Sequence, residues 1–334
     1  MAGARRPAGH GLLAALLLFS TAAAGADPRG RVALVRAGPA RQVEVRDAAC
    51  RGDVADPARD PTLRRRIVAL AAGEWEAFRF PVVDVAARGL PLVPALRTAA
   101  TEAGRPRPIV PDALNPPLPG YLRRVLRSGS AEDRPEMAAR IGGYWAAVPR
   151  QGAVATQNAV WRLAPEAGWV QPWSAAFVSW VMCEAGLGEA GFARAEGHAT
   201  VLQALFERPQ AAFTPRPLTR IPEPGDLVCA GRDAAGPIAS LAEARRAAAA
   251  RAPMHCDVVV GRAPDRLLVI GGNVENAVAL TVLPLSGGRL VPTPLRPWFA
   301  VLALRAPPDP GARLDRVRFA CLGRADVERC LDAL

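Results

Sequence analysis

The texture of the chain changes at Pro222, and that change limits the fold more than any other feature. Before it, apolar residues recur at helical spacing. Ile67, Val68, Leu70, Trp75 and Phe78 predict a helix over 60–78, and Ile141, Tyr144, Trp145 and Val148 supply the buried face of one over 131–147. A segment over 161–170 follows, then helices over 173–185 and 198–207. After Pro222 the runs 226–230, 255–260 and 267–271 are short, apolar and rich in β-branched residues, with turn residues between them. The runs 279–284 and 299–304 would complete a sheet, and the Ala/Arg-rich stretch 240–251 is expected to be an exposed helical insertion. Helices first and an antiparallel sheet second is an α+β order.

The first 26 residues have the order of a secretory leader. Arg5 and Arg6 open it, an apolar run covers 11–19, and Ala24-Gly25-Ala26 ends it as an A-x-A site. That run is too short for a permanent span, and no other is longer. A periplasmic or secreted protein without a permanent membrane span is expected. Residues 32–35 and 43–45 alternate like a short hairpin, the Pro-dense stretch 79–119 is expected to be an irregular arm, and 121–126 a turn or two of helix. The chain thus divides into a signal peptide (1–26), an extension with a helix and the Pro-rich arm (27–130), a main domain (131–308) and a Cys-containing tail (309–334).

Net charge is +11, and every basic residue is Arg. That bias resembles a GC-rich coding preference more than a nucleic-acid footprint, and no Arg cluster is interleaved with aromatics, so no nucleic-acid partner is expected. Cysteines stand at 50, 183, 229, 256, 321 and 330, an even number that permits disulfides in an exported chain. Cys321 and Cys330 are the expected pair in the tail; Cys229 and Cys256, on neighbouring strands, are expected to be a buried pair or a disulfide. There is no C-x-x-C, and one of only three histidines lies in the leader, so neither a metal nor another cofactor is expected.

Three motifs in order carry the candidate chemistry. Ser174 begins an apolar helix in PWSAAFVSWVM; PGDLVC at 224–229 leads into a strand and is followed by HCDVVV at 255–260; IGGNV at 270–274 ends the next strand. Nucleophile-bearing helix, histidine on a strand and polar residue on the next strand resembles the NlpC-type and CHAP cell-wall hydrolases. Within that likeness the motifs are most similar to the family called domain of unknown function 2272. The resemblance implies a papain-like fold, with helices packed on an antiparallel sheet. It also implies an amide-bond hydrolase acting on peptidoglycan or a related peptide, with Ser174 as nucleophile, His255 as base and Asn273 orienting the imidazole.

The chemistry of these residue types agrees. A helix N-terminus favours an anionic nucleophile, and a strand register in which residue numbers sum to 528 sets His255 opposite Asn273. The departure is serine where active members of the wider group carry cysteine. A hydroxyl is far harder to ionise than a thiol, and serine enzymes add a buried carboxylate behind the histidine. Asp257 shares a strand face with His255 but lies about 7 Å further along the strand, and is expected to be an awkward partner. Asp226, Trp173 and His198 are candidates to line the cleft and contact substrate. The alternative is a catalytically inactive module that binds wall fragments or a partner protein.

Overall fold

The computed structural model describes residues 32–37, 40–46, 50, 52–78, 80–84, 123–124, 132, 135–149, 152–163, 169–232, 238–291 and 297–314. Among these, helices α1 (Leu63–Ala77), α2 (Pro135–Ala146), α3 (Gly152–Leu163), α4 (Ser174–Glu184), α5 (His198–Glu207) and α6 (Leu241–Ala249) pack with one large sheet. The strands are β1 (Val32–Ala37), β2 (Ala40–Val45), β3 (Val82–Asp84), β4 (Arg123–Arg124), β5 (Phe213–Arg216), β6 (Leu227–Gly231), β7 (Met254–Arg262), β8 (Arg266–Val274), β9 (Ala277–Ser286), β10 (Arg289–Leu290) and β11 (Trp298–Leu304). β1 and β2 form a separate hairpin; the other nine form the sheet, in the order β4-β3-β9-β8-β7-β6-β11-β5 with β10 on β9. All pairings are antiparallel except β3 with β9. The α+β order expected from the texture change is therefore present.

Both faces of the sheet are buried. Leu227, Cys229, Cys256, Val258, Leu268 and Ile270 join the helices in the main core, while Val228, Ala230, Val259, Leu267 and Val269 form a second cluster with Leu283, Trp298 and Val301. This division follows the period-2 alternation of strand side chains. It also explains why the strands read as near-continuous apolar runs.

Helix α4 is central. Every residue from Ser174 to Cys183 is buried, as an all-round apolar helix requires, and it packs against α1, α2, β7 and β8. Its close approach to β8 depends on Gly272, where an added Cβ would lie 2.4 Å from the Cβ of Phe177. Two disulfides brace the unit. Cys50–Cys183 ties the segment before α1 to the end of α4, and Cys229–Cys256 joins β6 to β7. The expected Cys321–Cys330 pair and the expected leader lie outside the described residues.

Three local expectations change. Within the stretch expected to be irregular, Val82–Asp84 is a strand that runs parallel to β9. At 121–126, where helix was expected, Arg123 and Arg124 pair with Val83 and Val82. The segment placed at 161–170 is instead a helix over Gly152–Leu163, whose small apolar residues (Ala153, Val154) give a weak periodic signal.

Candidate active site

Two helix starts and one strand meet at Ser174. Ser174 is the first residue of α4, and His198 is the first residue of α5, entered from the extended Gly197. His255 is the second residue of β7. Ser174 Oγ lies 2.8 Å from His255 Nδ1 and 2.8 Å from His198 Nε2. The two imidazoles meet edge to face, with centroids 5.3 Å apart. On the far side of His255, Nε2 lies 2.5 Å from Asp257 Oδ1. Ser174 is 3%, His255 2% and Asp257 0% exposed, so the cluster is shielded from bulk water.

The carboxylate fixes the direction of every proton in this chain. An ionised Asp257 only accepts hydrogen bonds, so His255 carries its proton on Nε2 and, when neutral, leaves Nδ1 as an acceptor. The Ser174 hydroxyl then donates to His255 Nδ1. Its remaining acceptor capacity takes the Nε2–H of His198. Burial holds the His198 pKa well below the ordinary 6.5, and the nearby charges of His255 and Arg232 lower it further. His198 is therefore neutral and a donor at neutral pH. The result is a hydroxyl aimed at a base, with a carboxylate behind the base and a second N–H on the oxygen.

The partner expected for His255 was Asn273, and Asp257 takes that place. The β7–β8 ladder does follow the register summing to 528, at Val258↔Ile270 and Val259↔Val269. The pairing does not continue past Ile270. Asn273 has φ +53°, at the irregularity between Gly271 and Val274 where β8 turns toward β9. Its Oδ1 is buried without a hydrogen-bond partner. Asp257 succeeds despite its distance along the strand because side chains two apart project from one face and lean together. Gly271 makes room for that contact: a Cβ there would lie 1.9 Å from Asp257 Oδ1 and 3.0 Å from His255 Nε2.

All four residues of the cluster fall within residues 132–304, the stretch matched by the family model DUF2272, described as an uncharacterized protein conserved in bacteria. That stretch is just over half of the chain. The chain belongs to the DUF2272 family. No curated protein and no solved structure matches it.

Two other residues of the DUF2272 region that were expected to contact substrate sit in the framework. Trp173 is fully buried, stacked with Phe78 and tilted against Tyr144, with its Nε1 donating to Glu132. It is a core anchor that seats the start of α4, as a large aromatic with a satisfied N–H does best. Asp226 is also fully buried, and accepts from Arg64 Nη1 (2.9 Å), Leu304 N (2.9 Å) and Glu223 N (3.0 Å). It precedes Leu227, which pairs with Val258, whereas His255 pairs with Ala230. Asp226 thus stands about 13 Å along the sheet from the site, at the strand rise. Among the described residues no group of three or more His, Cys, Asp or Glu is placed to hold a metal.

Proposed function

We propose that this DUF2272 protein is an exported acyl hydrolase that cleaves amide bonds in peptidoglycan or related peptides, with Ser174 as nucleophile. The observation that carries this reading is the unbroken chain Ser174 Oγ, His255 Nδ1, His255 Nε2, Asp257 Oδ1. Asp257 supplies the charge that the Ser-His-Asn set lacked, and a buried carboxylate behind the histidine is worth about 10⁴ in rate. In the reaction Ser174 Oγ bonds to the carbonyl carbon while its proton passes to His255 Nδ1. Asp257 stabilises the imidazolium. The amides of Ser174, Ala175 and Ala176 precede the first bond of α4, Phe177 N to Trp173 O. Such helix-start N–H groups are free to receive the oxyanion. His255 returns the proton to the departing amine. Water, deprotonated by the same nitrogen, then releases the acid and restores the hydroxyl.

His198 has a definite part here. Its N–H on Oγ stabilises negative charge on the oxygen as the proton leaves, which compensates in part for the high pKa of a hydroxyl. A periplasmic or secreted location is supported by the leader pattern and by two disulfides, which persist in oxidising compartments.

A second reading, a module that retains the fold and binds wall fragments or a partner without cleavage, is favoured by the burial of Ser174 and His255. One experiment separates the two. Purified wall material and defined acyl peptides are incubated with wild type, Ser174→Ala and Ser174→Cys, and released amines are counted. Release by wild type that disappears in Ser174→Ala is expected. Release by Ser174→Cys alone, or by none of the three, overturns the hydrolase reading.

A further inference from the structure

Arg232 follows β6 directly and continues its ladder, its N–H donating to Pro253 O at 2.9 Å. Ala230, two residues earlier, is directly opposite His255. Strand alternation puts Arg232 on the same face as Ala230 and His255, and a diagonal neighbour is about 7–8 Å away, within reach of a long side chain. The side chain is half-buried and its Nε is fully buried without a hydrogen-bond partner, and among the described residues no ion pair reaches the guanidinium. The contrast with Arg64 is sharp, since that buried arginine has all of its N–H nitrogens engaged. Buried polar groups are nearly always paired, and an exception calls for a reason.

We infer that Arg232 is a carboxylate-binding group of the Ser174 site, so that the site takes peptides with a free carboxylate next to the bond being cleaved. Its positive field reaches the cluster: after burial and His255, Arg232 is a further cause that lowers the His198 pKa. The starts of α4 and α5 at Ser174 and His198 add two positive helix ends to the same place. A guanidinium suits this task because its planar fork meets both oxygens of a carboxylate at once. The inference deepens the hydrolase reading and rests on Ser174 marking the substrate site.

The test reads binding without turnover. Ser174→Ala protein is titrated calorimetrically with N-acetyl-alanyl-alanine and with its C-terminal amide. The acid is expected to bind about tenfold more tightly than the amide, the scale of one charge-assisted contact. Ser174→Ala/Arg232→Gln should lose the preference, and Ser174→Ala/Arg232→Lys should keep part of it as a point charge. Thermal melts confirm that each variant is folded. Equal affinity for acid and amide, a preference that survives Arg232→Gln, or no binding of either probe overturns the inference. The two proposals fail differently. A preference dependent on Arg232 without cleavage by wild type removes the hydrolase alone, whereas cleavage with no preference removes the carboxylate site alone.

Discussion

Two fully buried aspartates, Asp226 just before β6 and Asp257 on the neighbouring β7, meet opposite kinds of partner. Asp226 meets a permanent cation. Arg64 reaches it from α1 and also donates to the carbonyls of Leu304, Pro224, Ala306 and Pro307, which stitches the first helix to the sheet's far end. Burial pushes the Asp226 pKa up, and Arg64 and two backbone N–H groups oppose the shift. Asp257 meets a partner that can gain and lose a proton. The first arrangement resists change, because removing either partner strands a charge. The second is useful only if charge moves. A buried carboxylate is therefore not by itself a mark of function; the titratability of what it touches decides.

The contrast can be broken most forcefully at Asp257. Asp257→Asn keeps the shape but supplies no charge, so kcat for amide release should fall by about 10⁴ while the melting temperature changes little. A fall of less than tenfold would return Asp257 to the framework. At the other end of β6, Arg64→Met should behave the opposite way. It leaves Asp226 buried and unpaired, and should cost about 3–5 kcal/mol in denaturant unfolding, the usual penalty for half of a buried pair. The folded fraction should keep its turnover.

Gly271 and Gly272 stand side by side on β8 but press on different neighbours. Alanine at either position is overpacked and should cost about 1–3 kcal/mol. Gly271→Ala presses on Asp257 and should also lower kcat, while Gly272→Ala presses on Phe177 and should act mainly on stability. Equal effects on kcat would show that the His255–Asp257 contact is not sensitive to that backbone.

The smallest effect concerns pH. The unfolded chain binds a proton at His198 near pH 6.5, and the folded chain, where that pKa is well lowered, does not. Stability from this group is complete above about pH 6.5 and falls as pH drops, by up to about 1.4 kcal/mol per pH unit. Urea unfolding of His198→Gln, compared with wild type between pH 7 and 5, should show a flatter slope.

Much of this was legible in the chain, for reasons particular residues make plain. The texture change gave the α+β order, and helix α5 begins at His198 and ends at Glu207 as its spacing predicts. Ser174, His198 and His255 were all singled out, and the structure brings them together. The identity of the carboxylate was missed because strand rise measures Cα separation and ignores how side chains lean. The signal was present in His255-x-Asp257 combined with Gly271, a residue without a side chain facing the gap. Trp173 and Asp226 were misplaced because adjacency to a motif says nothing about depth: one fills the core beneath Ser174, the other pins a distant turn. Arg232 gave no sign, since one arginine among 42 basic residues attracts no notice until its buried, unpartnered Nε is seen.

The bond between Cys50 and Cys183 spans 133 positions, and it sets a limit on how this protein can be trimmed. Residue 50 lies outside the stretch matched by the family model and residue 183 lies inside it. Excising the stretch alone would discard one sulfur of the bridge, together with α1 and β3, and would expose the sides of α4 and β9 that they cover. The stretch that the family model matches is thus shorter than the packed unit that contains it.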